Sequence, residues 1–400
     1  MRMIIPTLFC RALSTSANEL EPAAVLSSRS CGAKVYGACH SAVAVHATSR
    51  WWLLSKRLMR MKLLQFSRIS WHCLPIVLCS FSTLVQAQFN YTTTNGSITI
   101  TGYAGSDSAI NIPDTISNQP VTSIGRFAFQ HSDNTSSVTI PNSVTNIEYC
   151  AFIECTSLTN VTIGSRVTSI GDAAFSGCSN LTSVRIPDRV TRIGEQAFFF
   201  CTSLSNVIIG NSVTNIGGSA FFECSSLNSV TIPDSVTRIS DCAFFHCSSL
   251  KSVRIPNRVT SIGEKAFLGC HSMTNITIPN SVISIGTSAF EGCYGLTSLT
   301  IGTNITSIPD WAFAFLERLK SLTIPNSVSS IGNNAFWTCR SLTNCIIGSS
   351  VTNIGDNAFS GCPEATIPKS VIHIGIQYFL PTNYIQLPPD AYVTIFTNRS

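Results

Sequence analysis

Four hundred residues would ordinarily make two or three domains of about 150 residues each, but one internal repeat occupies most of this chain. Charged residues are only 11% and apolar ones 44%, which excludes a disordered or highly charged chain. Residues 1–87 carry ten Lys/Arg against two Asp/Glu, and residues 88–400 fifteen against eighteen, so the net +5 is no sign of a nucleic-acid surface.

The chain opens with 58 residues that show no period. Residues 59–87 read as a secretory signal peptide. Arg60, Lys62 and Arg68 form its positive start, an apolar run extends from Cys73 to Val85, and Val85-Gln86-Ala87 offers small residues for cleavage after Ala87. That run is too short to span a bilayer, so no stable membrane span is expected after cleavage. Translation is accordingly expected to start at Met59 or Met61, with 1–58 as upstream sequence outside the natural product.

Residues 88–120 follow, with alternating Ile98-Thr99-Ile100-Thr101 and Ile110-Asn111-Ile112, and read as a strand-rich N-terminal cap. From Val121 to 370 the chain repeats eleven times, ten coils of 23 residues and an eleventh shortened by three. Starts fall at Val121, Val144, Val167, Val190, Val213, Val236, Val259, Val282, Ile305, Val328 and Val351. Residues 371–400 hold a degenerate twelfth start at Val371 and a proline-bearing C-terminal cap.

The third coil, VTSIGDAAFSGCSNLTSVRIPDR, sets the pattern, with apolar residues or Cys at coil positions 1, 4, 8, 9, 12, 15, 18 and 20. Val184 and Ile186 alternate as in a short strand, which Pro187 ends because it has no N–H to donate. Val167 and Ile170 make a second extended stretch, with Gly171 at the corner. Ala174, Phe175 and Cys178 fit the inward side of one helical turn. No coil can bury its apolar groups alone, whereas stacked coils share one core. The expected fold is therefore an α/β solenoid with one parallel sheet face and short helical turns; a parallel β-helix is the alternative.

Phenylalanine fills coil position 9 from Phe129 to Phe359 and again at Phe379. At about 4.8 Å per coil the twelve rings would form a spine about 53 Å long. Position 12 holds Cys155, Cys178, Cys201, Cys224, Cys247, Cys270, Cys293, Cys339 and Cys362, but Leu316 in the ninth coil. Cys345 stands where other coils have the strand Val, so Cys and aliphatics exchange places as buried small hydrophobes do. Disulfides between neighbouring coils remain the alternative. Cys150 and Cys242, five residues before Cys155 and Cys247, lack a matched tetrahedral partner set, and no metal site is expected.

The recurrent text VTSIG..AF..C.SLT.V.IP across 121–370 resembles the BspA-like leucine-rich repeat proteins. That resemblance implies a curved solenoid, a secreted or cell-surface location, and adhesion to extracellular macromolecules.

Catalysis finds no support in the residues. GxSxG, HExxH, GxxxxGK[ST] and GxGxxG are all missing, and His131 and His246 lie five coils apart. Neither an enzyme nor a bound cofactor is expected. Binding is expected instead on the outward residues flanking the buried strand position, namely Asn160, Thr162, Ser183, Arg185, Asn206, Ser229, Thr231, Ser252, Arg254, Asn275 and Thr277. These short polar side chains cost little entropy to order, which suits an extracellular protein or glycan. Arg185 and Arg254 could add selectivity for an acidic ligand, or be an ordinary solvated face. The alternatives are a structural envelope component that self-associates and, less well matched to the mixed residues, an ice-binding hydroxyl ladder.

Overall fold

The computed structural model describes residues 88–375 and the strand Tyr384–Gln386. The upstream segment, the signal-like segment, Phe379 and most of the C-terminal cap lie outside the described residues.

Each coil lays down two short parallel strands in register with its neighbours. Positions 3 and 4 pair from coil to coil, as in Arg192 with Ser169 and Ile193 with Ile170. Positions 17 to 19 do the same, as in Ser183–Arg185 beside Asn206–Ile208. The single expected sheet is thus two, because the second extended stretch also finds partners one coil away. Alternation dictates burial: Val184 is buried between exposed Ser183 and Arg185.

The first strands close the N-terminal end. Phe89–Thr94 and Ser97–Tyr103 form an antiparallel hairpin. Its turn is Asn95-Gly96, both with positive φ (51° and 74°), as a two-residue hairpin loop requires. Ser97–Tyr103 then pairs in parallel with Gln119–Ile124, carrying the hairpin into the first sheet. Phe89 and Tyr103 cover the end of the core, with ring centroids 6.5 and 5.8 Å from Phe129.

Between the two sheets runs the phenylalanine ladder. Rings from Phe129 to Phe359 are buried and nearly parallel. Adjacent centroids are 4.8 Å apart at the N-terminal end and 5.3–5.4 Å apart around Phe198, Phe221, Phe244 and Phe267.

The expected helical turns are absent; no described residue is helical. Positions 7 and 11 adopt left-handed φ instead, as at Gln196 (56°) and Phe200 (55°), which no α-helix can contain. The backbone alternates its bonding through this segment. In the fourth coil Gln196, Phe198 and Phe200 donate their N–H groups to carbonyls of the next coil, while Phe199 and Cys201 close four-residue turns within their own coil. Alternating turns thereby supply a third inter-coil ladder.

Position 12 ties the coils together a fourth time. Cys178 Sγ donates to the carbonyl of Phe152 in the preceding coil at 3.2 Å, and Cys201, Cys224 and Cys247 repeat the contact. The twelve cysteines of the described residues are buried thiols, with no disulfide among them.

One junction departs from this regularity. The first sheet stops at Ser284–Ile285 and the second at Ser298–Thr300, and both restart in the ninth coil as separate sheets. Pro309 occupies the place of Gly286 and Gly332, whose N–H groups bond the isoleucine carbonyls of their preceding coils, and proline has no N–H to give. Leu316 replaces the cysteine that would reach the Phe290 carbonyl. Phe290 and Phe313 are correspondingly 5.6 Å apart, the widest step of the ladder. The outer turns alone bridge the eighth and ninth coils without interruption, for example Phe290 N–H to Ala312 O at 2.9 Å. Native-state hydrogen exchange should therefore be fastest within the repeats at this junction. Amides of residues 305–308 should exchange ahead of those of 190–193 and 213–216; uniform protection across the coils would contradict this origin for the break.

Candidate binding faces

The structure places every residue expected on the strand face on one continuous surface. Asn160 and Thr162 are exposed around buried Val161, and the pattern holds at Ser183/Arg185, Asn206, Ser229/Thr231, Ser252/Arg254 and Asn275/Thr277. Register brings them into two rows: Asn206 faces Ser229 and Ser229 faces Ser252 across the sheet, while Thr231 faces Arg254.

Two neighbouring hydroxyl rows differ in chemistry. At position 16, Thr159, Thr182 and Ser205 each donate their hydroxyl to a carbonyl of the preceding coil, at 2.9 to 3.1 Å. At position 2, Thr145, Thr168 and Thr214 do likewise. Those hydroxyls are occupied in holding coils together. The side chains of Asn160, Thr162, Ser183, Asn206, Ser229, Thr231 and Ser252 make no hydrogen bond to other described residues. Their donors and acceptors stay free on one face.

The arginines contribute less charge than the sequence suggests. Arg254 pairs with Asp234 at 2.8 Å, and Arg185 approaches Asp188 at 4.0 Å. Isoleucine interrupts the polar rows at Ile208 and Ile346, 45% and 57% exposed. Asn160, Thr162, Ser183 and Arg185 line a shallow depression of about 410 Å³. A wider groove of about 800 Å³ lies on the same face at the break, walled by Ser298, Thr300, Ser321, Thr323, Asn344 and Ile346. It spans the interruption between the sheets of the eighth and ninth coils.

The histidines do not converge on a catalytic arrangement. His131 pairs with Glu154 and His246 with Glu223, each at 3.1 Å and each with the adjoining coil. Cys150, buried rather than outward, is held by Tyr149; burial raises its pKa. No helix among the described residues is long and apolar enough to cross a membrane.

An aromatic row on the outer turns went unread in the sequence. Phe199, Phe222 and Phe245 stack at position 10 with centroids 4.8 and 4.3 Å apart. It continues through His246, His271 and Tyr294 to Phe315 and Trp337. The signal was available in part, since Phe199, Phe222, Phe245 and Trp337 share one coil position.

Comparison with known proteins agrees with this architecture. A family model described as a BspA-type leucine-rich repeat region, of six copies, matches residues 122–251 and 237–366. A leucine-rich cell surface protein from Faecalibacterium prausnitzii is 29% identical over 73% of this chain and 93% of its own, with a TM-score of 0.42. The leucine-rich repeat protein of T. pallidum is 30% identical over 52% of this chain and 88% of its own, with a TM-score of 0.44. Pneumococcal vaccine antigen PcpA is 20% identical over 72% of this chain and 91% of its own, and its TM-score of 0.50 supports the shared fold. No curated protein matches. With the repeat model matched over more than half of its length, the chain belongs to the BspA-type leucine-rich repeat family.

Proposed function

We propose that this is a secreted or cell-surface binding protein whose strand face recognises an extracellular protein or glycan. The carrying observation is the contrast between hydroxyl rows. Those at positions 2 and 16 are used inside the solenoid, whereas those at 17 and 19 are exposed with their hydrogen bonds unmade. Fixed backbone spacing presents these groups in a repeating array, so a polymer can engage several at once with little ordering cost. The signal-like segment 59–87 and the family's surface proteins support an extracellular location. The reading is of a scaffold that binds rather than one that catalyses.

Purified chain applied to immobilised matrix proteins and glycans should give at least one saturable partner. Sedimentation velocity run beside it tests the alternative of a self-assembling envelope component. A monomer at all concentrations together with a saturable hit supports recognition; concentration-dependent association with no hit would overturn it.

A further inference from the structure

A second site lies at the edge between the outer turns and the strand face. Here the aromatic row reaches the broken junction. A cleft of about 510 Å³ opens between Tyr294 and His271 on one side and Glu317 and Arg318 on the other. Gly295 forms part of its wall, where the preceding coils have Ser272 and Ser249, and a Cβ there would meet the His271 carbonyl at 2.5 Å. The glycine backbone thus packs tightly on the preceding coil and leaves the cleft without a side chain at that point. Lys251 and Thr274 complete the lining.

Three features of this cleft define a ligand. Tyr294 is 40% exposed and braced by His271, ring centroids 5.0 Å apart, so an aromatic platform is fixed in water-accessible space. Burial and the neighbouring His246 hold the His271 pKa below the ordinary histidine range, so that ring adds no charge at neutral pH. Lys251 and Arg318 are exposed and have no ion-pair partner among the described residues. An apolar ring face beside two unpaired cations and one carboxylate, Glu317, matches a saccharide ring that carries its own carboxylate.

We propose that this cleft binds one acidic sugar unit of a glycan, its ring stacked on Tyr294 and its carboxylate held by Arg318, while Lys251, three coils away, adds positive charge at the far end of the cleft. Glu317, Ser272 and Thr274 then accept or donate to sugar hydroxyls. The site is separate from the strand-face rows, and it stands or falls without them.

Titration calorimetry of the full chain tests it with four probes: a hyaluronan hexasaccharide, cellohexaose, sialyllactose and an aspartate hexapeptide. A uronate-type or a sialate-type ligand should bind at least tenfold tighter than neutral cellohexaose. Tyr294→Ala and Arg318→Ala should each weaken it at least tenfold, and Tyr294→Phe should keep most of the affinity. Both side chains are exposed, and unchanged melting of each variant checks the fold. Asn215→Glu, exposed on the other sheet, should leave this affinity alone. Equal binding of the aspartate peptide, indifference to Tyr294→Ala, or failure of both acidic saccharides would each overturn the assignment.

Discussion

Replacing Phe244 by alanine is expected to destabilise the repeat domain by about 3–5 kcal/mol, the usual cost of emptying a buried phenylalanine site. Its ring is fully buried and stacks on Phe221 and Phe267, both 5.4 Å away. Collapse into the vacancy is resisted on every side. Backbone ladders above and below fix the coil spacing, and flanking rings cannot tilt without losing their own stacking. Because each coil contacts only its neighbours, damage at the centre also uncouples the two halves of the stack. Urea denaturation followed by circular dichroism should show a lower midpoint and a transition split into two steps. A loss under about 1 kcal/mol would mean that the ring ladder fills space without fixing it.

The buried thiols should make the fold fail in alkali. Burial is the principal cause that raises the pKa of Cys201, Cys224, Cys247, Cys270 and Cys293, the last to about 12. An unfolded thiol ionises near pH 8.5, so above that pH unfolding releases protons that the folded state retains. Stability is thus intact below about pH 8.5 and is lost as pH rises toward the folded values. Each thiol contributes a slope of up to about 1.4 kcal/mol per pH unit in that window. Five such groups set a limit of roughly 7 kcal/mol per unit, enough to unfold an ordinary domain by about pH 10. Denaturant midpoints between pH 7 and 10.5 check this, with Cys224→Ala/Cys247→Ala expected to flatten the decline in proportion. The same burial should leave the twelve thiols of the described region unreactive toward a disulfide reagent at pH 8 until denaturant is added. A pH-independent midpoint, or ready modification of the native protein, would contradict the thiol ladder.

Most of this architecture could be read from the residues because each coil repeats the same solution. Phe at position 9 and the Val/Ile at 18 and 20 identify the core, and alternation around Val184 or Val230 identifies the outward face. The turn segment misled for a physical reason. Ala174, Phe175 and Cys178 point inward equally well from one helical turn or from alternating left- and right-handed turns. The distinguishing mark sits at position 11, where Gly177, Gly269, Gly292 and Gly361 all take positive φ. Cysteine at position 12 looked like a small hydrophobe, and its inter-coil hydrogen bond depends on a carbonyl whose direction no side-chain pattern reports. The cleft beside Tyr294 includes a departure from the repeat, Gly295, and the wide groove lies where Pro309 and Leu316 interrupt it; a consensus averages such departures away.

The strand face is tested most directly by comparing two charge-introducing variants against one captured partner. Ser229→Glu/Thr231→Glu alters the free hydroxyl rows without touching the core, since both side chains are exposed. Asn215→Glu, equally exposed, lies on the other sheet and serves as the control. Surface-plasmon titrations should show the partner's affinity falling at least tenfold for the first variant and less than twofold for the second. Equal affinity of both variants and the unmodified chain would move recognition off the strand face.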